Sequence, residues 1–271
     1  MNEQQSTAAP DLGVLHDYEY QIDLEGDNAL AYVIELAGSG KKILELGAGA
    51  GMQTQFLVKR NDVVAAEINP ASVEKLKRYT DRVYSLDLNA PGWTQALSAE
   101  GSFDAIIAAD VLEHLYDPWT AIEEMKKALK DTGEIIVSLP YIGNGAILGL
   151  LYEDDFEYRE EGLLDKTHIR FFGLANIEAL HKNAGLTITD ARIVLRRPEV
   201  TEFHARWNKL PKAVRSALTV SPHADIYQVV TTARRSETVS TDFSLFEAAA
   251  RRCPPRKRTL LQRIAETLLS L

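Results

Sequence analysis

Two histidines and a small set of carboxylates carry the chemistry this chain could perform. His114 ends the string Asp110-Val111-Leu112-Glu113-His114, and His168 lies far downstream, three residues after Asp165. Histidine is the side chain whose ordinary pKa lets it take a proton near neutral pH. Either is therefore a candidate base for an acceptor that must lose a proton before it attacks. His168 is the first choice, placed between an acidic segment and a following helix, with Asp165 near enough to orient it. A second group of residues reads as a binding site. The apolar run Ile43-Leu44-Glu45-Leu46 stops at Gly47, Gly49 and Gly51, with Ala48 and Ala50 between them, and Glu67 follows twenty residues past Gly47. Glycines at a strand end let the backbone approach a ligand, and an acid closing the next strand can accept hydrogen bonds from a ribose. The pattern is that of a nucleoside site.

Glycine spacing bears on which nucleoside. The dinucleotide fingerprint G-x-G-x-x-G needs its third glycine five residues after the first. Met52 stands there, and the third glycine comes one residue early, at Gly51. This argues against a dinucleotide-dependent oxidoreductase.

The elements that must position these residues alternate from about Asn28 onward, as in a parallel sheet with crossover helices. Strands are expected at Lys42–Leu46, Val63–Glu67, Arg82–Leu86, Phe103–Ala109, Glu134–Leu139, Thr187–Leu195 and Asp225–Thr232. The first, fourth and fifth are nearly continuous apolar runs, as strands covered on both faces must be. A helix is expected over Met52 to Lys59. Asn69-Pro70 and Asp117-Pro118 each read as a helix cap followed by proline at the first position. Ala121, Ile122, Met125, Ala128 and Leu129 then form a stripe at helical spacing. Asp131-Thr132-Gly133 should end that helix. Further helices are expected at Leu174–Asn183 and around Pro211–Leu218. In this arrangement the glycine turn, Glu67, Asp87 and the Asp110–His114 string fall at the carboxyl ends of successive strands, where open α/β sheets bind ligands.

Composition narrows the class. The 271 residues suffice for one large domain with appendages, and 45% hydrophobic residues is ordinary for a globular chain. No apolar run approaches a membrane span, the polar start is unlike a signal peptide, and Cys253 is a lone cysteine. These features suggest a reducing compartment, most simply the cytoplasm. Net charge is −9, but Arg251 to Leu271 carries six basic residues against Glu266, a net of +5, which leaves −14 for the rest. An acidic main body argues against nucleic acid as partner. The expected division is an N-terminal segment 1–27, a catalytic domain 28–234, and a linker with a basic amphipathic helix over 235–271. Insertions at 141–167 and 196–224 interrupt the domain, and the first, following the fifth strand, is expected to be a substrate lid. In the tail, Leu260, Leu261, Ile264, Leu268 and Leu271 share one helical face. Two roles are open to that helix: docking on a membrane surface, or packing on its own domain or a second subunit of an oligomer. The second is the expectation.

Several strings together resemble a known family. Glu45-x-Gly47-x-Gly49-x-Gly51 resembles the first motif of class I S-adenosylmethionine-dependent methyltransferases. The stretch from Phe103 to Leu115 followed by Asp117-Pro118 is similar to their signature after the fourth strand, and Lys130-Asp131-Thr132-Gly133-Glu134 to the turn before the fifth. Asp165-Lys166-Thr167-His168-Ile169-Arg170-Phe171-Phe172 resembles a motif of bacterial sugar and polysaccharide-associated O-methyltransferases. The resemblance implies a doubly wound, Rossmann-like, mostly parallel seven-stranded α/β sheet with a reversed last hairpin. It implies S-adenosyl-L-methionine as cofactor. By it, Glu45, Gly47, Ala48, Gly49 and Gly51 approach the methionine portion and ribose, Glu67 and Ile68 the ribose, Asp87 and Leu88 the adenine, and Ala109 and Asp110 the methionine amino group. The implied reaction is methylation of a hydroxyl on a small-molecule or glycan acceptor, with His168 or His114 as base.

Two further readings stay in view. Asp110-x-x-Glu113-His114 with His168 supplies oxygen and nitrogen donors able to hold Mg²⁺ or Mn²⁺. It faintly resembles the metal site of small-RNA terminal 2′-O-methyltransferases. The same string occurs widely in methyltransferases without metal, and no metal is the expectation. A cofactor-binding scaffold without turnover is the other reading, because binding and catalysis are separable.

Overall fold

The computed structural model describes residues 23–253. Seven strands form one sheet: β1 (Lys42–Leu46), β2 (Asp62–Glu67), β3 (Val83–Ser85), β4 (Phe103–Ala109), β5 (Leu129–Pro140), β6 (Leu186–Leu195) and β7 (Ile226–Arg235). Their order is β3-β2-β1-β4-β5-β7-β6. Strands β1 to β5 pair in parallel, while β7 runs antiparallel to both β5 and β6. This is the expected doubly wound sheet with a reversed last hairpin.

The continuous apolar runs are explained by burial on two faces. Leu44, Val64, Ile106 and Ile135 belong to one core layer, whereas their neighbours Ile43, Val63, Ile107 and Ile136 belong to the other. Side chains alternate across a strand, so each strand must be apolar at every position. Helix α1 (Ala29–Ala37), capped by the Asn28 side chain, covers the second layer with Ala29, Val33 and Ala37. The first layer is covered by α4 (Pro118–Ala128) and α6 (Leu174–Asn183), through Ala121, Ile122, Met125, Ile177 and Leu180. Asn69 caps α3 (Pro70–Leu76) and Asp117 caps α4, each followed by proline, as their sequences require.

The structure departs from the sequence reading in three places. The helix expected over Met52 to Lys59 is a single turn, α2 (Thr54–Leu57), with no side-chain cap at Gln53. It is too short to add a helix dipole, so the glycine turn must work through its own backbone. The Asp131-Thr132-Gly133 turn is folded into β5 as an irregularity between the Phe103↔Leu129 and Ala105↔Glu134 pairs. The segment after Arg234 is not simply a linker. β7 runs to Arg235, and α9 (Leu245–Arg252) returns to the sheet, burying Leu245, Ala249 and Cys253 in the main core. The basic helix expected beyond Arg256 lies outside the described residues. No helix among the described residues is long and apolar enough to cross a membrane.

The two insertions pack on each other. Helix α5 (Gly145–Tyr152) contacts α7 (His204–Lys209) and α8 (Lys212–Leu218), and Ala146, Ile147, Leu150, Leu163, Leu164 and Phe203 form a small core of their own. Part of the acidity of the first insertion is committed there: Glu153, Asp155 and Glu157 all pair with Arg206.

Candidate functional site

A cavity of about 790 Å³ opens at the carboxyl ends of β1, β2 and β4, where the strand order reverses. Its volume is within the about 300–1,000 Å³ of small-ligand pockets. Gly47, Ala48, Gly49, Glu67, Asp87 and Leu88 line it, together with His114, Glu161 and His168.

The glycine turn is built from left-handed backbone. Gly47, Gly49 and Gly51 have φ of 62°, 54° and 91°. A Cβ on Gly47 would sit 2.6 Å from Val111 Cγ2, and one on Gly51 2.5 Å from the Tyr79 ring. Gly51→Ala is expected to destabilise the fold by about 2 kcal/mol, combining backbone strain with the ring clash, and to lower Tm by roughly 4–8 °C in a calorimetric scan. Gly49 has open space where a Cβ would stand, so a ligand can come against its backbone.

Glu67 turns toward that loop. Its Oε2 accepts from Gly49 N–H at 2.8 Å, and its Oε1 accepts from Ile68 and Asn69 N–H, each at 2.8 Å. These bonds fix the carboxylate on the cavity wall and leave one lone-pair site, on Oε2, for a ligand hydroxyl. Asp87 is exposed at the rim, its Oδ1 accepting from Asn89 N–H at 2.9 Å, with half-buried Leu88 beside it. The sequence places this acid for an adenine amino group, and its position on the cavity wall suits that contact.

Glu45 sits beneath the turn, buried, its Oε2 accepting from Thr54 Oγ1 at 2.7 Å. Burial pushes its pKa up from 4.5 to about 7. A raised folded pKa means the folded state holds its proton more tightly than the unfolded chain. The fold is unpenalised below pH 4.5, loses stability as pH rises from 4.5 to 7, and carries the full penalty above. A shift of that size is worth about 3 kcal/mol. Glu45→Gln, which keeps an acceptor for Thr54, is expected to raise unfolding free energy at pH 8 by about 2–3 kcal/mol and to change it little at pH 4. Urea titrations of the ligand-free protein at the two pH values check this.

Asp110 has φ of 54°, a rare value for a residue other than glycine. Its strained backbone is held by Ser138, whose carbonyl and Oγ accept from Asp110 N–H, and Ser138 Oγ donates to Asp110 Oδ1 at 2.8 Å. Gln228 Nε2 donates to the same oxygen at 2.6 Å. Strain of this kind gathers at functional sites. Ser138 and Gln228 carried no signal in the sequence, because Ser138 reaches Asp110 only through the pairing of β4 with β5, and Gln228 only through that of β5 with β7.

The string after Asp110 and the distant histidine meet. Ile169 and Arg170 N–H both donate to the Glu113 carbonyl, at 2.9 and 3.0 Å. The imidazoles of His114 and His168 then lie 4.7 Å apart, edge to face. His168 Nδ1 lies 3.2 Å from the Leu163 carbonyl. A carbonyl only accepts, so Nδ1 carries the proton and Nε2 a bare lone pair. His114 is fixed alike: Nδ1 lies 3.2 Å from the Thr167 carbonyl and 3.0 Å from Thr167 Oγ1, whose own proton goes to Asp165 Oδ1 at 2.6 Å. Asp165 thus orients His114 through Thr167, and not His168 as its sequence position suggests. Burial lowers both imidazole pKa values, His168 to about 4, with His114 as a second cause. Both rings are neutral at pH 7.

Glu113 is the residue the sequence reading undervalued. It is buried, and neither carboxylate oxygen has a hydrogen-bond partner among the described residues. Burial, and then the charge of Asp110, hold its pKa well above the usual carboxylate range.

Comparisons with known proteins agree with this geometry. A methyltransferase-domain family matches residues 15–191. The ubiquinone biosynthesis O-methyltransferase of Xanthomonas axonopodis pv. citri is 26% identical over 184 residues, covering 62% of this chain and 72% of that protein. The tRNA U34 carboxymethyltransferase of Aeromonas salmonicida is 27% identical over 141 residues, 49% of this chain. The chain spans only 42% of the length of that relative. A candidate methyltransferase of Bacillus halodurans C-125 shares the fold, with a TM-score of 0.54 and 14% identity, covering 76% of this chain and 98% of that structure. The glycine cradle, the fixed Glu67 carboxylate and the cavity volume fit a nucleoside-bearing sulfonium. The chain therefore belongs to the methyltransferase-domain family.

Proposed function

We propose that this chain is an S-adenosylmethionine-dependent enzyme of class I that methylates a hydroxyl oxygen of a small polar acceptor of the sugar class. The observation that carries the reading is the pair of imidazoles that line the same cavity as Glu67, each with Nδ1–H tied to a carbonyl and Nε2 left bare. A hydroxyl needs its proton drawn off at or before attack, and these lone pairs are the groups that face it for that task.

When bound, the cofactor supplies an already activated methyl group. The chain's part is to position and to polarise. Glu67 and the Gly47–Gly51 backbone would hold the ribose and methionine portion, and Asp87 with Leu88 the adenine. Asp110, with Ser138 and Gln228 behind it, would receive the methionine amino group. Orientation of this kind supplies much of the rate of an in-line displacement. The cavity is also lined by Glu160, Glu161, Glu202 and Tyr227, groups that suit a molecule with several hydroxyls. The name of the ubiquinone-pathway relative, an O-methyltransferase, supports oxygen as the target atom. The acidic main body speaks against a nucleic-acid acceptor.

The test is a panel of sugars, phenols, amines and carboxylic acids offered with S-adenosylmethionine to the purified chain. The expected result is a mass gain of one CH2 on a polar hydroxyl, located by NMR. Transfer only to nitrogen, carbon or a carboxylate would overturn the reading.

A further inference from the structure

The one arrangement that hydroxyl chemistry leaves unexplained is Glu113. A buried carboxyl with no partner on either oxygen forfeits its hydration without compensation. Among the described residues no lysine or arginine is paired with it. The titratable groups around it are Asp110, Asp165, His114 and His168. Its position is also not accidental, since the two N–H groups that grip its carbonyl belong to the residues following His168.

One donor atom each from Glu113, His114 and His168 lie within 4.8 Å of one another, the only such trio among the described residues. His168 Nε2 and Glu113 Oε1 are 3.9 Å apart. Two ligands of one cation, each at about 2.0–2.2 Å, can be at most about 4.3 Å apart. That pair already satisfies the limit, and the trio's widest spacing exceeds it by no more than about half an ångström, within reach of small side-chain rotations. The imidazoles are prepared as ligands prepare: each Nδ1–H is anchored on a backbone carbonyl, which turns the Nε2 lone pair outward. His114 has a further support in the Thr167–Asp165 pair.

We propose that Glu113, His114 and His168 bind a first-row divalent cation, whose remaining coordination positions face the cavity and take the oxygen of the acceptor. Two imidazoles and one carboxylate suit Mn²⁺, Fe²⁺, Co²⁺ or Zn²⁺ better than Ca²⁺ or Mg²⁺, which favour all-oxygen shells. The cation would complete Glu113 and lower the pKa of the acceptor hydroxyl bound to it, whose proton passes to water; the imidazoles then serve as ligands in place of acting as bases. This deepens the O-methylation reading and rests on it for the identity of the oxygen, though not for the cation itself.

Co²⁺ is the probe. The tag-free chain, stripped with a chelator, is titrated with Co²⁺ and followed by visible absorption and by NMR. The expected result is saturable binding of one ion per chain, with two exchangeable, hyperfine-shifted imidazole N–H resonances from the anchored Nδ1–H groups. Glu113→Gln and His168→Asn are each expected to weaken binding at least tenfold, while calorimetric affinity for S-adenosylhomocysteine stays within twofold. The wild-type N–H resonances serve as the test should either variant fail to fold. No saturable binding at millimolar Co²⁺, binding indifferent to both variants, or absence of the shifted N–H lines would overturn the proposal. The two readings fail separately. A chain that methylates a hydroxyl without binding Co²⁺ loses only the cation, and one that binds Co²⁺ at this trio but methylates nitrogen loses only the hydroxyl.

Discussion

Glu67→Ala is expected to weaken binding of S-adenosylhomocysteine by about 100-fold or more in a calorimetric titration. A charge-assisted hydrogen bond to a ribose hydroxyl is worth about 1.5–3 kcal/mol, and about 2.7 kcal/mol is a hundredfold in affinity. The substitution also releases Gly49 N–H from its 2.8 Å bond, so the loop loses the anchor that shapes it for the ligand. Glu67→Gln separates the two effects. Its amide oxygen can still accept from a backbone N–H, but it offers a neutral group to the ribose, and an intermediate loss of about tenfold is expected. Affinity for the alanine variant within threefold of wild type would remove Glu67 from the cofactor site.

His168→Asn should leave that affinity intact and lower kcat by about 100-fold or more, the usual worth of a group acting on the acceptor's proton. Asparagine is the informative replacement because its amide N–H can still meet the Leu163 carbonyl that receives Nδ1–H. The packing of the 163–168 loop is thereby kept while the Nε2 lone pair is lost. A fall in kcat with unchanged cofactor binding is the signature of an interaction made at the acceptor end. Turnover equal to wild type would take His168 out of the chemistry, whether it acts directly or through a cation. His114→Asn is expected to give a smaller loss, because His114 shares its anchor, Thr167, with Asp165.

Much of the architecture was legible because its signals are local. A strand covered on both faces must be apolar at successive positions, so β1, β4 and β5 announced themselves in Lys42–Leu46, Phe103–Ala109 and Glu134–Leu139. Asn69-Pro70 and Asp117-Pro118 marked helix starts because an acceptor side chain and a fixed φ are needed there and nowhere else in a helix. The glycine turn was legible because only glycine tolerates three left-handed φ values within five residues, with a valine and a tyrosine pressed against two of them. The one-turn α2 and the docked α9 were not, since both depend on what the neighbouring chain offers them. Periodicity cannot report that.

The sequence by itself determined that the glycine turn, Glu67, Asp87 and Asp110 stand at the ends of adjacent strands, where they line one cavity. Each of those residues follows its own strand directly, so local order sets its place. The acceptor end was decided only by tertiary structure. His168, 54 residues from His114, reaches it because backbone N–H groups beside it close on the Glu113 carbonyl. Gln228 reaches Asp110 across 118 residues through the pairing of antiparallel strands. Which nitrogen of each imidazole keeps its proton, and that Glu113 is left buried without a partner, are properties of contacts between segments. A contact between segments has no period, cap or spacing in the chain that makes it.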